Sequence, residues 1–111
     1  MKHEMKLREN PFRMIKCGKK TVELRLYDEK RQMLCVGDEI EVTCVESGER
    51  LSKKVKALHV FASFSELYDA LPLLRCGYTE EDVASASPSD MEEYYSREEQ
   101  CRFGVVGIEL E

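Results

Sequence analysis

The sequence predicts a mainly β domain with short helices packed around it, an α+β arrangement. Apolar and polar residues alternate over residues 21–26 and again over residues 38–44, a pattern typical of strands with one buried face. A third apolar run, residues 103–110, contains two glycines that permit close backbone approach. Between these runs, capping residues and prolines delimit segments that are long enough only for short helices. The length of 111 residues is near the commonest domain size, and we expect residues 1–111 to form one domain with one core.

Local signals place the strands and helices in chain order. The first helix follows Asn10, a good N-cap, has a proline at its first helical position, and ends before Gly18. The second begins after Ser63, which forms a capping box with Glu66, and the third covers about residues 88–95. The predicted strands are residues 4–7, 21–26, 38–44, 51–61 and 103–110.

The composition is that of a soluble globular protein, with 42% hydrophobic and 35% charged residues. No apolar run approaches the roughly 20 residues that a membrane span requires, and the first residues lack the apolar core of a signal peptide. The five cysteines are odd in number and scattered, with no C-x-x-C pair. This predicts reduced thiols in the cytoplasm, no disulfide framework and no metal site. The sequence also lacks a glycine-rich phosphate loop, and we expect no cofactor.

The net charge of −5 conceals an uneven distribution along the chain. Residues 1–31 contain ten Lys or Arg and five Asp or Glu, whereas residues 32–111 contain seven and seventeen. An acidic protein does not bind duplex nucleic acid through counterion release alone. The basic N-terminal part could still bind a short single strand or one nucleotide, or the uneven charge could serve only solubility.

Opposite charges cluster at the start of the second predicted strand. Thr21, Glu23 and Arg25 project from one face of this strand, and Lys19 and Lys20 lie at the turn that precedes it. A solvated sheet face can look the same, because a Glu and an Arg two residues apart on one strand form an ordinary surface pair. The residues alone therefore leave both a binding site and a plain solvated face open.

The spacing Gly18-x-Lys20-x-x-Glu23-x-Arg25 resembles the signature of the ASCH domain, a small RNA-associated family with a PUA-like β-barrel. The family's helix before the motif, its turn into the next strand and its closing strand are matched by residues 10–17, 36–40 and 103–110. The resemblance implies a small barrel of about six mostly antiparallel strands with two or three short helices packed outside. It also implies a cleft beside the motif strand that binds single-stranded RNA, a nucleoside or a nucleotide.

Five residues of the motif region form the predicted ligand-binding set: Lys19, Lys20, Thr21, Glu23 and Arg25. Lysine and arginine offer donors for a phosphate or a carbonyl, and an arginine can donate two parallel hydrogen bonds. A carboxylate can accept a hydrogen bond from the exocyclic amine of a base. Stacking on an aromatic side chain would add about 1–3 kcal/mol per base. The candidate stacking residues are Tyr27, Phe64, Tyr68, Tyr94 and Tyr95.

A catalytic use of the same site is the alternative that the resemblance implies. Some small ASCH-like proteins are amidohydrolases that deacetylate acylated cytidine with a lysine, a threonine and a glutamate. By resemblance Lys20 takes the place of the lysine, as a nucleophile or base. Glu23 stands where those enzymes have threonine, Thr21 is two residues early, and residues 74–78 contain no acid for the second glutamate. These departures favour a binding module over a hydrolase with Lys20 and Glu23 as catalytic residues. A protein-interaction module that uses the acidic C-terminal segment is the third alternative.

Overall fold

The computed structural model describes residues 1–111, which fold into a curled five-stranded sheet with short helices outside it. The order across the sheet is β1-β3-β4-β5-β2, with β1 parallel to β3 and every other neighbouring pair antiparallel. Strands β1 and β2 are therefore the two edges of a half-barrel. The strands are β1 (Lys2–Leu7), β2 (Val22–Leu26), β3 (Glu39–Cys44), β4 (Arg50–Phe61) and β5 (Val105–Leu110).

The helices all lie in the connections between strands. The α-helices are α1 (Glu9–Lys16), α2 (Glu29–Gln32), α3 (Phe64–Ala70) and α4 (Arg97–Phe103). Three 3-10 helices, Leu73–Arg75, Val83–Ser85 and Pro88–Glu93, lie in the long connection between β4 and β5. Serine side chains cap the starts of α3, α4 and the last 3-10 helix, which is why these short elements form despite little propensity of their own.

The predicted fold class, mainly β with short helices in a small PUA-like barrel, is confirmed. The sheet has five strands, one fewer than the expected number of about six, and its two edges do not pair. The expected two or three helices are also too few, since much of residues 64–103 coils into short helical turns. Asn10 does not cap α1, which begins at Glu9 with Arg8 as its N-cap residue.

Two hydrophobic clusters lie on opposite faces of the sheet. The first fills the inside of the half-barrel beneath α1, and its largest fully buried members are Phe12, Ile15, Ile40, Val42 and Ile108. The second lies between the outer face of β2 and β5 and the segment that starts with α3, and includes Val22, Leu24, Phe64, Leu67 and Val105. Strands β2 and β5 are thus covered on both sides.

The double cover decides between the two alternatives that the residues of the motif strand left open, a binding site and a plain solvated face. In the sheet Glu23 and Arg25 pair with Ile108 and Val106, which belong to the inner cluster, so they do not lie on a plain solvated face. Residues directly opposite each other in an antiparallel pair share a face, so the two charged side chains point inward. Glu23 is only 4% exposed. A charged group buried in this way needs partners of opposite charge or groups that hydrogen-bond to it.

Candidate functional site

A cavity of about 460 Å³ opens along the free edge of β2. One wall is formed by the end of β1 and the first turns of α1, through residues that include Lys6, Arg8 and Met14. The other wall comes from the connection between β4 and β5, between residues 68 and 95. The floor is the motif itself, with Lys20, Glu23 and Arg25 among the lining residues. The cavity therefore occupies the side of the half-barrel where its two edges fail to meet.

Three charged side chains form an ion cluster at the floor. Lys20 Nζ lies 2.6 Å from Glu23 Oε1, and Arg25 Nε donates to Glu23 Oε2 at 2.9 Å. The three side chains are 10%, 5% and 18% exposed in the order Lys20, Glu23, Arg25. The cluster carries one net positive charge, held in a poorly solvated place where electrostatic interactions are strong.

The charge state of Glu23 follows from these contacts. Burial raises the pKa of a carboxyl group, but the charges of Lys20 and Arg25 and their hydrogen bonds outweigh it, so the pKa of Glu23 is lowered. The carboxylate is therefore ionised at neutral pH. It fixes two cationic side chains whose remaining N–H groups are available to a ligand.

Backbone geometry on both sides directs Lys20 into this cluster. Gly18 has φ +85°, a left-handed conformation that ends the helical region and turns the chain towards β2. Lys20 N–H then donates to the carbonyl oxygen of Met14 at 3.0 Å. On the opposite wall Gly77, at φ +111°, lies against the lysine, and a Cβ there would be 3.4 Å from Lys20 Cδ. This is an ordinary van der Waals distance, so glycine is favoured at position 77 by its positive φ, and the lysine stem packs against its backbone.

A chain of hydroxyl groups stiffens the second wall. The hydroxyl groups of Tyr68 and Tyr78 lie 2.6 Å apart, and Tyr78 donates to Asp90 Oδ2 at 2.7 Å. The backbone N–H of Ser87 donates to the same carboxylate oxygen at 3.1 Å. These hydrogen bonds lower the pKa of Asp90, while burial, first of all, raises the pKa of Tyr78. The wall consequently presents neutral phenol rings that are held by an ionised carboxylate.

The structure brings together some of the predicted ligand-binding residues and not others. Lys20, Glu23 and Arg25 line the cavity. Lys19 is exposed and lines a separate surface hollow with Arg13 and Lys16. Thr21 lines neither, and its backbone N–H donates to Arg75 of the connection.

The candidate stacking residues divide in the same way. Tyr68, Tyr94 and Tyr95 line the cavity, and Tyr94 is 65% exposed at its mouth. Tyr95 instead packs on the second cluster, its ring stacked against Phe64 at a centroid distance of 6.3 Å. Phe64 is buried, and Tyr27 packs against the first cluster, so neither is part of the cavity.

Several cavity residues were not predicted from the sequence. Lys6 and Arg8 form a basic rim, both exposed and neither within ion-pair distance of an acid. Across the mouth stand Asp82 and Glu93, so the opposite rim is acidic. Tyr78 was not predicted as a cavity residue either. Its position directly after a glycine could have indicated that it lies in a turn.

The cavity and its surroundings show no metal centre. No group of three or more His, Cys, Asp or Glu side chains is arranged to hold a metal ion. All five cysteines are free thiols. None of the helices combines the length and the apolar character needed to cross a membrane.

The curled five-stranded sheet, with a cavity at its open edges, is consistent with a small PUA-like barrel, and a comparison with known families identifies the family. The ASCH domain family matches residues 5–111, and the chain belongs to that family. The family is broadly one of RNA-binding, PUA-like domains. No match was found among curated proteins.

Solved structures of similar proteins share the fold of this chain. The crystal structure of hypothetical protein PH0355 is 36% identical, with a TM-score of 0.82 over 100% of this chain and 98% of the other. The solution structure of protein PF0455 from Pyrococcus furiosus is 35% identical, with a TM-score of 0.76 over 100% and 96%. ASCH from Zymomonas mobilis is 14% identical and shares the fold, with a TM-score of 0.68 over 97% of this chain and 65% of that one.

Proposed function

We propose that this ASCH domain binds a nucleotide, free or within single-stranded RNA, in the cavity beside β2, and does so without turnover. The observation that carries the proposal is the buried cluster of Lys20, Glu23 and Arg25, with its net positive charge, at the floor of a cavity with tyrosine walls. A volume of about 460 Å³ lies within the range of about 300–1,000 Å³ that is usual for small-ligand sites.

Each part of the cavity suits one part of a nucleotide. Lys20 and Arg25 keep donors free for a carbonyl oxygen of the base. Tyr94, exposed at the mouth, offers a ring on which the base or its neighbour can stack. Lys6 and Arg8 form the rim that receives a phosphate. Both oxygens of Glu23 already bond to its two cationic neighbours, so we assign it to holding them rather than to accepting from a base amine.

The acidic rim limits how much RNA the site can hold. Asp82 and Glu93 face Lys6 and Arg8 across the mouth, and the whole chain has a net charge of −5. A long polyanion would meet repulsion on one side of the cavity. We therefore expect only one or two phosphates to be contacted, and a slope of log K against log salt of about −0.7 per contacted phosphate.

A titration with short RNA and nucleoside 5′-monophosphates at two salt concentrations tests the proposal. Lys6→Glu and Arg8→Glu change exposed residues of the rim, and should weaken binding at low salt while thermal unfolding stays as in the wild type. Lys19→Glu is the matched control, because it makes the same charge change outside the cavity. Absence of binding by the wild-type protein at low salt would refute the proposal.

The geometry gives the hydrolase alternative less support. Lys20 Nζ is held by the Glu23 carboxylate at 2.6 Å, and a nitrogen engaged in this contact is poorly placed to attack a carbonyl carbon. Thr21 does not line the cavity. We keep the cytoplasm as the proposed location, on the scattered cysteine pattern of the sequence.

A further inference from the structure

Strand β2 leaves the backbone of Leu24 unused by the sheet. The N–H of Leu110 donates to the carbonyl oxygen of Thr21 at 2.8 Å, and the N–H of Tyr27 donates to Gly104 at 3.0 Å. Hydrogen-bonded and non-hydrogen-bonded pairs alternate along an antiparallel ladder. Between these two hydrogen-bonded pairs the alternation assigns backbone hydrogen bonds with β5 to Glu23 and Arg25. Leu24, which lies opposite Gly107, makes none. The N–H and C=O groups of Leu24 therefore point to the free edge.

This free edge opens on the cavity. Leu24 is one of the lining residues, between Glu23 and Arg25, and is only 7% exposed. Its side chain packs in the second cluster on the outer face, so its burial is due to apolar packing. No strand, side chain or loop group bonds to its backbone. Its N–H and C=O groups, which point to an edge that opens on the cavity, are thus an adjacent donor and acceptor that a ligand in the cavity can reach.

The opposite edge shows why the ligand is small rather than an additional strand. The carbonyl oxygens of Met1 and Leu7 accept from the N–H groups of Glu39 and Val45, at the start of β3 and directly after its end. The backbone of Lys6 therefore faces away from β3 towards the same opening. Its carbonyl oxygen accepts from Arg25 Nη2 at 3.1 Å. The arginine side chain thus crosses from one edge to the other and fills part of the space that a sixth strand would need. What remains is a pocket rather than a continuous groove.

We infer that the backbone N–H and C=O groups of Leu24 bind the edge of the nucleobase, as a donor and an acceptor read by the protein main chain. The inference rests on the proposed function and specifies its ligand: a planar heterocycle that presents a hydrogen-bond acceptor next to a donor. Bases alkylated at that donor would be rejected, because the Leu24 carbonyl oxygen would then face a methyl group. Side-chain substitutions in the cavity leave this contact in place.

A backbone substitution tests the inference directly. In a protein assembled by chemical ligation, the amide of Leu24 is replaced by an ester, which removes its N–H. The same replacement at Val22 is the matched control, since its N–H also faces the free edge and it does not line the cavity. Both esters weaken one carbonyl acceptor of the β2–β5 ladder equally. The affinities for the four common nucleoside 5′-monophosphates, and for the N3-methyl analogue of the uridine compound, are measured for each protein.

We expect the Leu24 ester to bind its preferred nucleotide about three- to tenfold more weakly than the Val22 ester does, the effect of one lost hydrogen bond. Equal affinities of the two esters would overturn the inference and leave the proposed function standing. Failure of the wild-type protein to bind any nucleotide at low salt would overturn both. Binding of extended peptides, with no binding of nucleotides, would assign the edge to strand addition and also overturn it.

Amide hydrogen exchange on the unmodified protein covers the case in which an ester variant does not fold. Exchange at Leu24 should slow on addition of the nucleotide while exchange at Val22 does not change. An unchanged Leu24 amide in the presence of saturating nucleotide would refute the inference.

Discussion

Two carboxylates on neighbouring strands have the same kinds of partner but different surroundings. Glu23 on β2 contacts Lys20 and Arg25, and Glu109 on β5 contacts Lys56 at 3.6 Å and His59 at 2.9 Å. The side chain of Glu23 is 5% exposed and that of Glu109 is 28% exposed. The ion cluster around Glu23 faces the cavity, and the ion cluster around Glu109 faces solvent. An ion cluster is therefore informative about function only together with its burial, which the local sequence does not reveal.

The largest difference is expected on neutralising each carboxylate. Glu23→Gln leaves two nearly buried cations without their counter-charge, and we expect a loss of about 3–5 kcal/mol of unfolding free energy. Glu109→Gln removes a partly solvated contact and should cost at most about 1 kcal/mol. Urea unfolding of both variants measures the two losses of unfolding free energy. Equal losses of unfolding free energy in the two variants would show that the burial of the ion cluster around Glu23 has no energetic consequence.

Removing one cation from each cluster should separate binding from stability. Lys20→Met keeps most of the unbranched stem and removes the charged donors, so nucleotide affinity should fall about tenfold or more, as expected for a charged hydrogen bond. Lys56→Met removes the lysine of the ion cluster around Glu109 and should leave the nucleotide affinity unchanged. Isothermal titration of both variants, after thermal melting has established that they fold, makes the comparison. Unaltered affinity in Lys20→Met would contradict the placement of the ligand at this floor.

Lowering the pH should weaken the two ion clusters, around Glu23 and around Glu109, to different extents. The pKa of Glu109 is lowered from its ordinary value, first by the hydrogen bond from His59, and that of Glu23 is lowered by Lys20 and Arg25 against the effect of burial. A carboxyl group whose pKa is lowered in the folded state adds stability above its ordinary pKa of 4.5, and this stability is lost as pH falls through the folded-state pKa.

The pH dependence of unfolding should therefore change most in Glu23→Gln. Between neutral pH and about pH 2, its stability should decline less steeply than that of the wild type. Glu109→Gln should follow the wild type closely. Urea midpoints across this pH range provide the measurement, and a wild-type slope in Glu23→Gln would argue against an ionised Glu23.

The smallest expected effect concerns catalysis. Because Lys20 Nζ is engaged by the Glu23 carboxylate at 2.6 Å, we expect slow or no turnover of acetylated cytidine, which is measured by the change in its absorbance. Turnover that disappears in Lys20→Met but persists in Lys56→Met would show that the cavity is an active site.

The motif shows how far sequence reasoning reaches. Strict alternation predicted β2, and the charges of Lys20, Glu23 and Arg25 were expected beside a cleft. Alternation describes one strand, however, and does not specify what covers its polar face. The inner cluster that buries Glu23 is made by residues from α1, β3 and β5.

The rest of the cavity depends on contacts between segments far apart in the chain. Arg25 reaches Lys6 across 19 positions, and Tyr78 reaches Asp90 across 12 positions through two 3-10 turns. Such contacts leave no periodic signal in the sequence. The charge split of the chain did place basic residues in the N-terminal part, and Lys6 and Arg8 of the rim belong to it.

The contact between Arg25 and Lys6 also bears on how the molecules behave at high concentration. Strands β1 and β2 each present unpaired backbone groups, and edges of this kind readily recruit strands from other molecules. The guanidinium group occupies one edge carbonyl and stands between the two edges, and the lysines at positions 2 and 6 add charge along β1. The arginine to which we assign a role in ligand binding is therefore also expected to keep the open side of the half-barrel from pairing with strands of other molecules.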